Sequence, residues 1–127
     1  MHPVYVHIKK ELSPFYAEEE ASAMAKWISS DILHLSTLEL YTGKDMNFST
    51  KEWAELEDIL RRLKQREPLQ YILQEASFCG MSFHVEQGVL IPRPETEELV
   101  EWIVSDYREA GQVRILDIGT GSGCIPV

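Results

Sequence analysis

The sequence has 127 residues, 44% of them hydrophobic and 26% charged, and a formal net charge of −9. That is room for one small soluble domain, or one domain and part of another. It leaves no basic field for nucleic-acid phosphates, because residues 1–74 hold 9 Lys+Arg against 12 Asp+Glu and residues 75–127 hold 3 against 9.

No apolar run approaches the ~20 residues of a membrane span. No charged start followed by an apolar stretch marks a secretory signal. Cys79 and Cys124 make no disulfide framework. A cytoplasmic protein, with no direct nucleic-acid or membrane contact, is the expectation.

In chain order, Pro3–Leu12 reads as a short first helix. Ser13-Pro14 reads as the start of the next, since Ser caps and Pro suits the first helical position. Glu18, Glu19 and Glu20 then favour the positive end of its dipole, and Ala17, Ala21, Met24, Ala25, Ile28 and Ile32 recur at helical spacing as a core stripe. Residues 37–41 form a short helix capped by Ser36 and ended by Gly43. Ser49-Thr50-Lys51-Glu52 is a capping box, and behind it Trp53, Leu56, Ile59, Leu60 and Leu63 share one apolar face. Arg61, Arg62, Lys64 and Arg66 near its end suit a helix C-terminus as solvated charge better than they suit an acidic partner. His2, His7 and His34 are scattered and suggest no role. These helices make a bundle of roughly seventy residues, able to fold alone. The bundle carries no catalytic constellation, so its work is to hold or recognise something.

Pro68-Leu69-Gln70-Tyr71-Ile72-Leu73 follows as a short turn of helix, and then the period changes. Phe78, Gly80, Met81, Phe83 and Val85, with Val89 and Ile91 beyond Gly88, read as a strand pair with turns at Gly80 and Gly88. Such a switch commonly marks a domain boundary. Cys79 and His84 are too few to make a zinc site. Two prolines, Pro92 and Pro94, stiffen the entry to a helix that runs to about Arg108, with Leu99, Val100, Ile103 and Tyr107 inward and Gly111 closing it.

The apolar run at residues 113–118 reads as a strand buried on both faces, as in a parallel sheet. It enters Gly119-Thr120-Gly121-Ser122-Gly123, the kind of turn that opens the nucleotide crevice of a doubly wound α/β domain. Each glycine either admits a ligand close to the backbone or takes φ > 0. The dinucleotide fingerprint would place its third glycine at position 124, which is Cys124. From Asp117 the pattern is instead D-x-G-x-G-x-G, which resembles motif I of class I S-adenosylmethionine-dependent methyltransferases.

Three blocks now stand in order. They are Pro68-Leu69-Gln70-Tyr71-Ile72, then Val89-Leu90-Ile91-Pro92-Arg93-Pro94-Glu95-Thr96-Glu97, then Ile115-Leu116-Asp117-Ile118-Gly119-Thr120-Gly121-Ser122-Gly123. Together they resemble the protein-(glutamine-N5) methyltransferase family that modifies peptide-chain release factors, the PrmC/HemK family. Gln74 stands where that family usually has Gly, and Pro126 where it usually has a small helix former.

The resemblance implies a mainly α fold for this chain. Residues 1–73 would be a helical substrate-recognition domain and 74–92 a β-hairpin linker. Residues 93–127 would be the first helix, strand and glycine turn of a Rossmann-like α/β methyltransferase domain. It implies methyl transfer from S-adenosylmethionine to the side-chain amide of the glutamine in a release factor's Gly-Gly-Gln loop. The family's Asn-Pro-Pro-Tyr motif, which orients that poorly nucleophilic nitrogen, occurs nowhere in the sequence. The chain is therefore expected to be an inactive fragment of an active parent, with no catalytic residue and no metal of its own. By the same resemblance Gly119, Thr120, Gly121, Ser122, Gly123 and Thr96 bind the cofactor, and Leu90 lines the substrate-glutamine pocket. Arg93 and Glu95 are equally well an ion-paired elbow. The competing classes are a nicotinamide oxidoreductase, which Cys124 disfavours, a non-catalytic helical interaction module, and a related methyltransferase acting on nucleic-acid amino groups.

Overall fold

In the computed structural model, which describes residues 1–43 and 47–127, the chain opens on α1 (Pro3–Leu12). Its cap is a residue to which the sequence assigned no role: His2 Nδ1 accepts from the Val4 N–H at 3.2 Å. The described residues form two compact units, Met1–Leu69 and Gln70–Val127.

In the first unit, α2 (Glu18–Asp31) starts later than the Ser13-Pro14 expectation. Ser13 closes α1 instead, its N–H donating to Lys9 O at 2.9 Å and its Oγ to Lys10 O at 3.0 Å. The N–H groups of Phe15 and Tyr16 turn back onto Leu12 O, so a cap-forming serine is used at the end of one helix rather than the start of the next. The α2 stripe holds at Ala21, Ala25 and Ile28, which are fully buried; Ala17 is exposed, and Met24 and Ile32 are half-buried. Ser29 is buried as well, its hydroxyl donating to Ala25 O at 2.6 Å, which satisfies the polar atom inside the core. The small side chains of Ala21 and Ala25, one turn apart, let α1 pack closely on α2.

The capping box expected at Ser49 forms, and the expected Ser36 cap proves to be a second one, with Glu39 as its partner. Ser36 and Glu39 start α3 (Thr37–Thr42), and Ser49 and Glu52 start α4 (Thr50–Lys64). Leu56, Ile59, Leu60 and Leu63 of α4 are buried, and α4 packs on α1. Trp53 departs from the expected core face. It is 40% exposed and meets Phe48 and His7 edge-on at 5.9 and 6.0 Å. A first-turn indole reaches the rim of the stripe, where a large ring keeps one face wet.

α4 ends in a Schellman turn with an unusual residue. Arg66 N–H donates to Leu63 O and Glu67 N–H to Arg62 O, while Arg66 takes φ +65°, a conformation glycine usually supplies.

The second unit begins with the short α5 (Leu69–Leu73). Gln74 follows at φ +56°, so the position where the resembled family has glycine is a left-handed one, occupied here by a residue that is strained in it. β1 (Glu75–Phe78) and β2 (Met81–His84) pair antiparallel with Ala76 opposite Phe83 and Phe78 opposite Met81. The loop between them is two residues long, Cys79 and Gly80, both at positive φ, as a type I′ hairpin turn requires. Phe78 and Phe83 are diagonal neighbours on one face and meet edge-on at 6.3 Å.

Val89 and Ile91 do not join this sheet. Gly88 makes a turn, with Val89 N–H donating to Glu86 O at 3.0 Å, and the chain then runs irregularly to Pro94. The prolines that stiffen the segment also remove donors a ladder needs.

α6 (Pro94–Tyr107) has the expected extent, with Pro94 in its first turn. Its inward face is a correction: Leu99 and Tyr107 are exposed, and Val100 and Ile103 are only half-buried. The doubly buried strand at residues 113–118 is a second correction. The stretch has no strand partner, and Leu116 and Ile118 are 86% and 88% exposed. A parallel strand is stabilised by neighbours on its edges and helices on its faces, and among the described residues the only sheet is the β1–β2 pair. The architecture is thus mainly helical with one small antiparallel sheet.

Candidate functional site

The glycine turn is the first candidate. Gly119, Gly121 and Gly123 take φ of +73°, +59° and +81°, so backbone conformation, rather than crowding, is what requires glycine here. A Cβ at any of the three would meet nothing within 4 Å. The turn is therefore open on its surface, with Gly123 N–H closing back on Thr120 O at 3.0 Å. Thr120 and Gly121 are exposed, and Ser122 is half-buried. Just before the turn, Asp117 Oδ2 is buried without a hydrogen-bond partner. A buried carboxylate oxygen costs free energy until a donor reaches it.

What anchors the turn is the residue after it. Cys124 is buried in a cluster with Phe78 and Phe83, and Val100 and Ile125 pack against that cluster. Hairpin, α6 and the end of the glycine turn therefore share one small core. Thr96, half-buried, lies one helical turn before Val100 on α6. Leu90 is not part of the cluster and is 78% exposed in the loop ahead of α6.

The segment around Thr96 is held by its neighbours. Thr96 N–H donates to Arg93 O at 3.0 Å. Arg93 Nε reaches Glu95 Oε2 at 3.4 Å, forming the expected elbow pair, but both side chains are more than two-thirds exposed, so solvent screens the pair and it adds little to stability. The backbone N–H at Glu95 and then Arg93 hold the Glu95 carboxyl below its usual range. Glu97 does something that sequence reasoning missed. Its Oε1 accepts from the Cys79 N–H at 2.9 Å, tying the first turn of α6 to the tip of the hairpin. Nothing in its spacing announces this; only its place among the glutamates of a quoted block pointed to it. Crowding around the sulfur, then the Glu97 and Glu101 carboxylates, push the Cys79 thiol up, which keeps it protonated at neutral pH and poorly nucleophilic.

Tyr71 is the second residue missed. Its hydroxyl donates to Val89 O at 2.6 Å, joining two of the quoted blocks across eighteen residues.

The basic cluster at the end of α4 is a candidate that the structure removes. Arg61 pairs with Asp58 and Lys64 with Glu11. Arg62 holds Glu67 through two hydrogen bonds, at 2.6 and 2.8 Å, and Arg66 lies over the Tyr16 ring, 5.0 Å from its centre. Tyr16 in turn donates to Leu63 O at 2.6 Å. Each cation is engaged within its own unit, and the pairs hold the Glu11 and Glu67 carboxyls below their usual range. Among the described residues, no three His, Cys, Asp or Glu side chains are grouped to hold a metal ion, and no helix is long and apolar enough to cross a membrane.

Comparison with known proteins bears on the whole of this arrangement. A release factor glutamine methyltransferase of Bacteroides thetaiotaomicron is 46% identical over 127 residues, 100% of this chain and 45% of the relative. Its counterpart in Flavobacterium psychrophilum is 39% identical over 119 residues, 91% of this chain and 42% of the relative. A third, from Geobacter sulfurreducens, is 42% identical over 109 residues, 86% of this chain and 38% of the relative. The chain thus spans less than half the length of these relatives, across both of its units. The family model of the PrmC N-terminal domain matches residues 5–73, the four helices of the first unit together with α5, and the chain belongs to that family.

Proposed function

We propose that this chain is the N-terminal part of an S-adenosylmethionine-dependent methyltransferase that modifies the glutamine of the Gly-Gly-Gln loop in peptide-chain release factors. The observation that carries the reading is the open glycine turn beside the unsatisfied Asp117 carboxylate, in a chain whose relatives bear the name release factor glutamine methyltransferase.

The residues present fit such a donor. Glycines at positive φ leave the turn uncovered, so a ligand can lie against its backbone. Asp117 Oδ2 lacks a donor, and the ammonium or hydroxyl groups of the ligand supply one. Thr96, one helical turn before Val100 on α6, would line the same side. S-adenosylmethionine, when bound, contributes a methyl group activated by a sulfonium. The chain's own share is to hold and orient that ligand with Gly119, Thr120, Gly121, Ser122, Gly123 and Thr96, and to present Leu90 to the glutamine-bearing loop.

The domain reading follows the same line. Residues 1–73 recognise the substrate protein, 74–92 link, and 93–127 begin a Rossmann-like domain. The apolar residues of α6 and of the 113–118 stretch, which lie bare here, are the surfaces such a domain covers with further strands and helices. The protein works in the cytoplasm, on release factors.

Two measurements test this. Titration calorimetry of the protein at its relatives' full length should detect S-adenosylmethionine and not NAD. Incorporation of labelled methyl into a release factor should occur with that protein and not with the 127-residue chain, whose sequence has no Asn-Pro-Pro-Tyr motif. Tighter binding of NAD, or turnover by the 127-residue chain alone at the longer protein's rate, overturns the reading.

A further inference from the structure

We propose that Tyr71 is a positioning residue for Leu90, pre-setting the loop that meets the protein substrate. The inference rests on the release-factor reading above and adds a residue to it.

The argument begins at one peptide bond. Tyr71 Oη donates to Val89 O at 2.6 Å. A peptide unit is planar, so the carbonyl of Val89 and the N–H of Leu90 turn together. Holding that oxygen therefore sets the plane through which the chain enters Leu90. Val89 is held on its other side too, its own N–H donating to Glu86 O at 3.0 Å across the turn at Gly88, which takes φ +98°. Beyond Leu90 the chain is stiff for a different reason. Ile91 precedes Pro92 and is biased to extended backbone, and Pro92 has a fixed φ.

Leu90 therefore stands between an anchored peptide and a proline-stiffened one, with its side chain 78% exposed. A large apolar side chain on a loop that is already ordered loses little entropy when a partner covers it. Tyr71 is the only side chain whose hydrogen bond to this loop's backbone is recorded among the described residues. Its aromatic body is half-buried, so the hydroxyl is aimed by packing rather than by chance. Removing the hydroxyl leaves the Val89 carbonyl to water and lets the Leu90 peptide rotate.

The test uses the protein at its relatives' full length, with a release factor as substrate. Tyr71→Phe should raise KM for the release factor about threefold to tenfold, the worth of one hydrogen bond. kcat should stay within twofold, and KM for S-adenosylmethionine should not move. Leu90→Ala should also raise the release-factor KM, and Tyr71→Phe added to it should do little more, because Tyr71 acts through Leu90. In the 127-residue chain, the carbon-13 shift of the Val89 carbonyl should move in Tyr71→Phe, while the carbonyl shifts of β1 and β2 stay in place. An unchanged KM in an active Tyr71→Phe enzyme, additive effects with Leu90→Ala, or an unmoved Val89 carbonyl shift each overturn the proposal and leave the release-factor reading intact. Absence of methyl transfer by the unaltered enzyme overturns that reading, and this proposal with it.

Discussion

The two units treat the same kind of side chain in opposite ways. In Met1–Leu69 the apolar stripes of α1, α2 and α4 close on one another, and Ile8, Leu12, Ile28, Leu56, Leu60 and Leu63 are almost wholly buried. In Gln70–Val127 Phe78, Phe83 and Cys124 form a small buried cluster and Ala76 and Val85 are buried beside them in sequence, while Leu99, Trp102, Ile115, Leu116 and Ile118 lie open. Both units contain well-formed helices, so the difference is not one of propensity. Helix ends answer to local chemistry, such as Ser49 with Glu52 or Pro94 in a first turn. Burial answers to whether a second apolar surface exists to meet the first. α4 has α1 to pack on, whereas α6 meets the hairpin cluster through Val100 and leaves Leu99, Trp102 and Tyr107 exposed. A matching pattern of residues is a request for burial, and the first unit answers it more fully, with Trp53 left at the rim.

Substitution in the two apolar sets should break this comparison most sharply. Leu60→Ala is expected to cost about 2–5 kcal/mol, the range for a buried leucine. That is comparable to the whole stability of about 3–5 kcal/mol that a core of this size supplies, so the first unit should lose its cooperative urea transition. Leu116→Ala should move the unfolding midpoint by no more than about 0.5 kcal/mol, since its side chain touches little. Equal effects at the two sites would mean that the stretch at 113–118 is buried in solution.

The next effect is at a cap. Ser49→Ala removes the acceptor of the Glu52 N–H and should cost the first unit about 1 kcal/mol, read from urea unfolding followed by helix signal. A loss below a few tenths would show that α4 is held by packing alone.

A gain is expected in the second unit. Gln74→Gly relieves a left-handed residue, worth about 1–2 kcal/mol, and gives back about 0.4–1 through the looser unfolded chain. The net should be a stabilisation of about 0.5 kcal/mol, visible as slower exchange at the hairpin amides. Faster exchange would mean that the glutamine side chain contributes more than its backbone strain removes.

The smallest effect is on acidification and belongs to the first unit. The Ser49 backbone N–H and hydroxyl hold the Glu52 carboxyl below its usual range, as Lys64 does for Glu11 and Arg62 for Glu67. A carboxyl depressed in the folded state contributes stability that is complete above its unfolded value, about 4.3. The contribution drains away as pH falls through the lowered folded values. The unfolding midpoint of the first unit should therefore be flat from pH 7 to pH 5 and decline below about pH 4. These groups face solvent, so added salt should shrink the decline. A decline that begins near pH 6 would point to histidines instead.

Much of the first unit was legible because its signals are local. The limits of α1, the Ser36 cap, the capping box at Ser49 and the buried face of α4 follow from residues within a few positions of one another. The candidate site was legible in part. The glycine turn sits where its spacing placed it, and its glycines do take positive φ. Glu97 on the hairpin tip and Tyr71 on Val89 were not legible, since each bond joins residues eighteen apart and neither residue type requires such a partner. Ser13-Pro14 misled for a related reason: a serine caps whichever neighbour offers the geometry, and α1 offered it first.

What residue order settled, then, is where most of the helices begin and end, the start of α2 excepted, where the chain turns, and which stretch carries a glycine-rich backbone. Each of these is set by torsional preference and by hydrogen bonds within one turn of the chain. What only the tertiary arrangement decided is which apolar faces are covered. It also decided that Cys124, rather than a glycine of the turn, pins the turn to the hairpin and α6, and that the carboxylate of Asp117 is left without a donor. Burial and polar satisfaction depend on atoms far apart in sequence, and a residue's own neighbours do not say whether those atoms arrive.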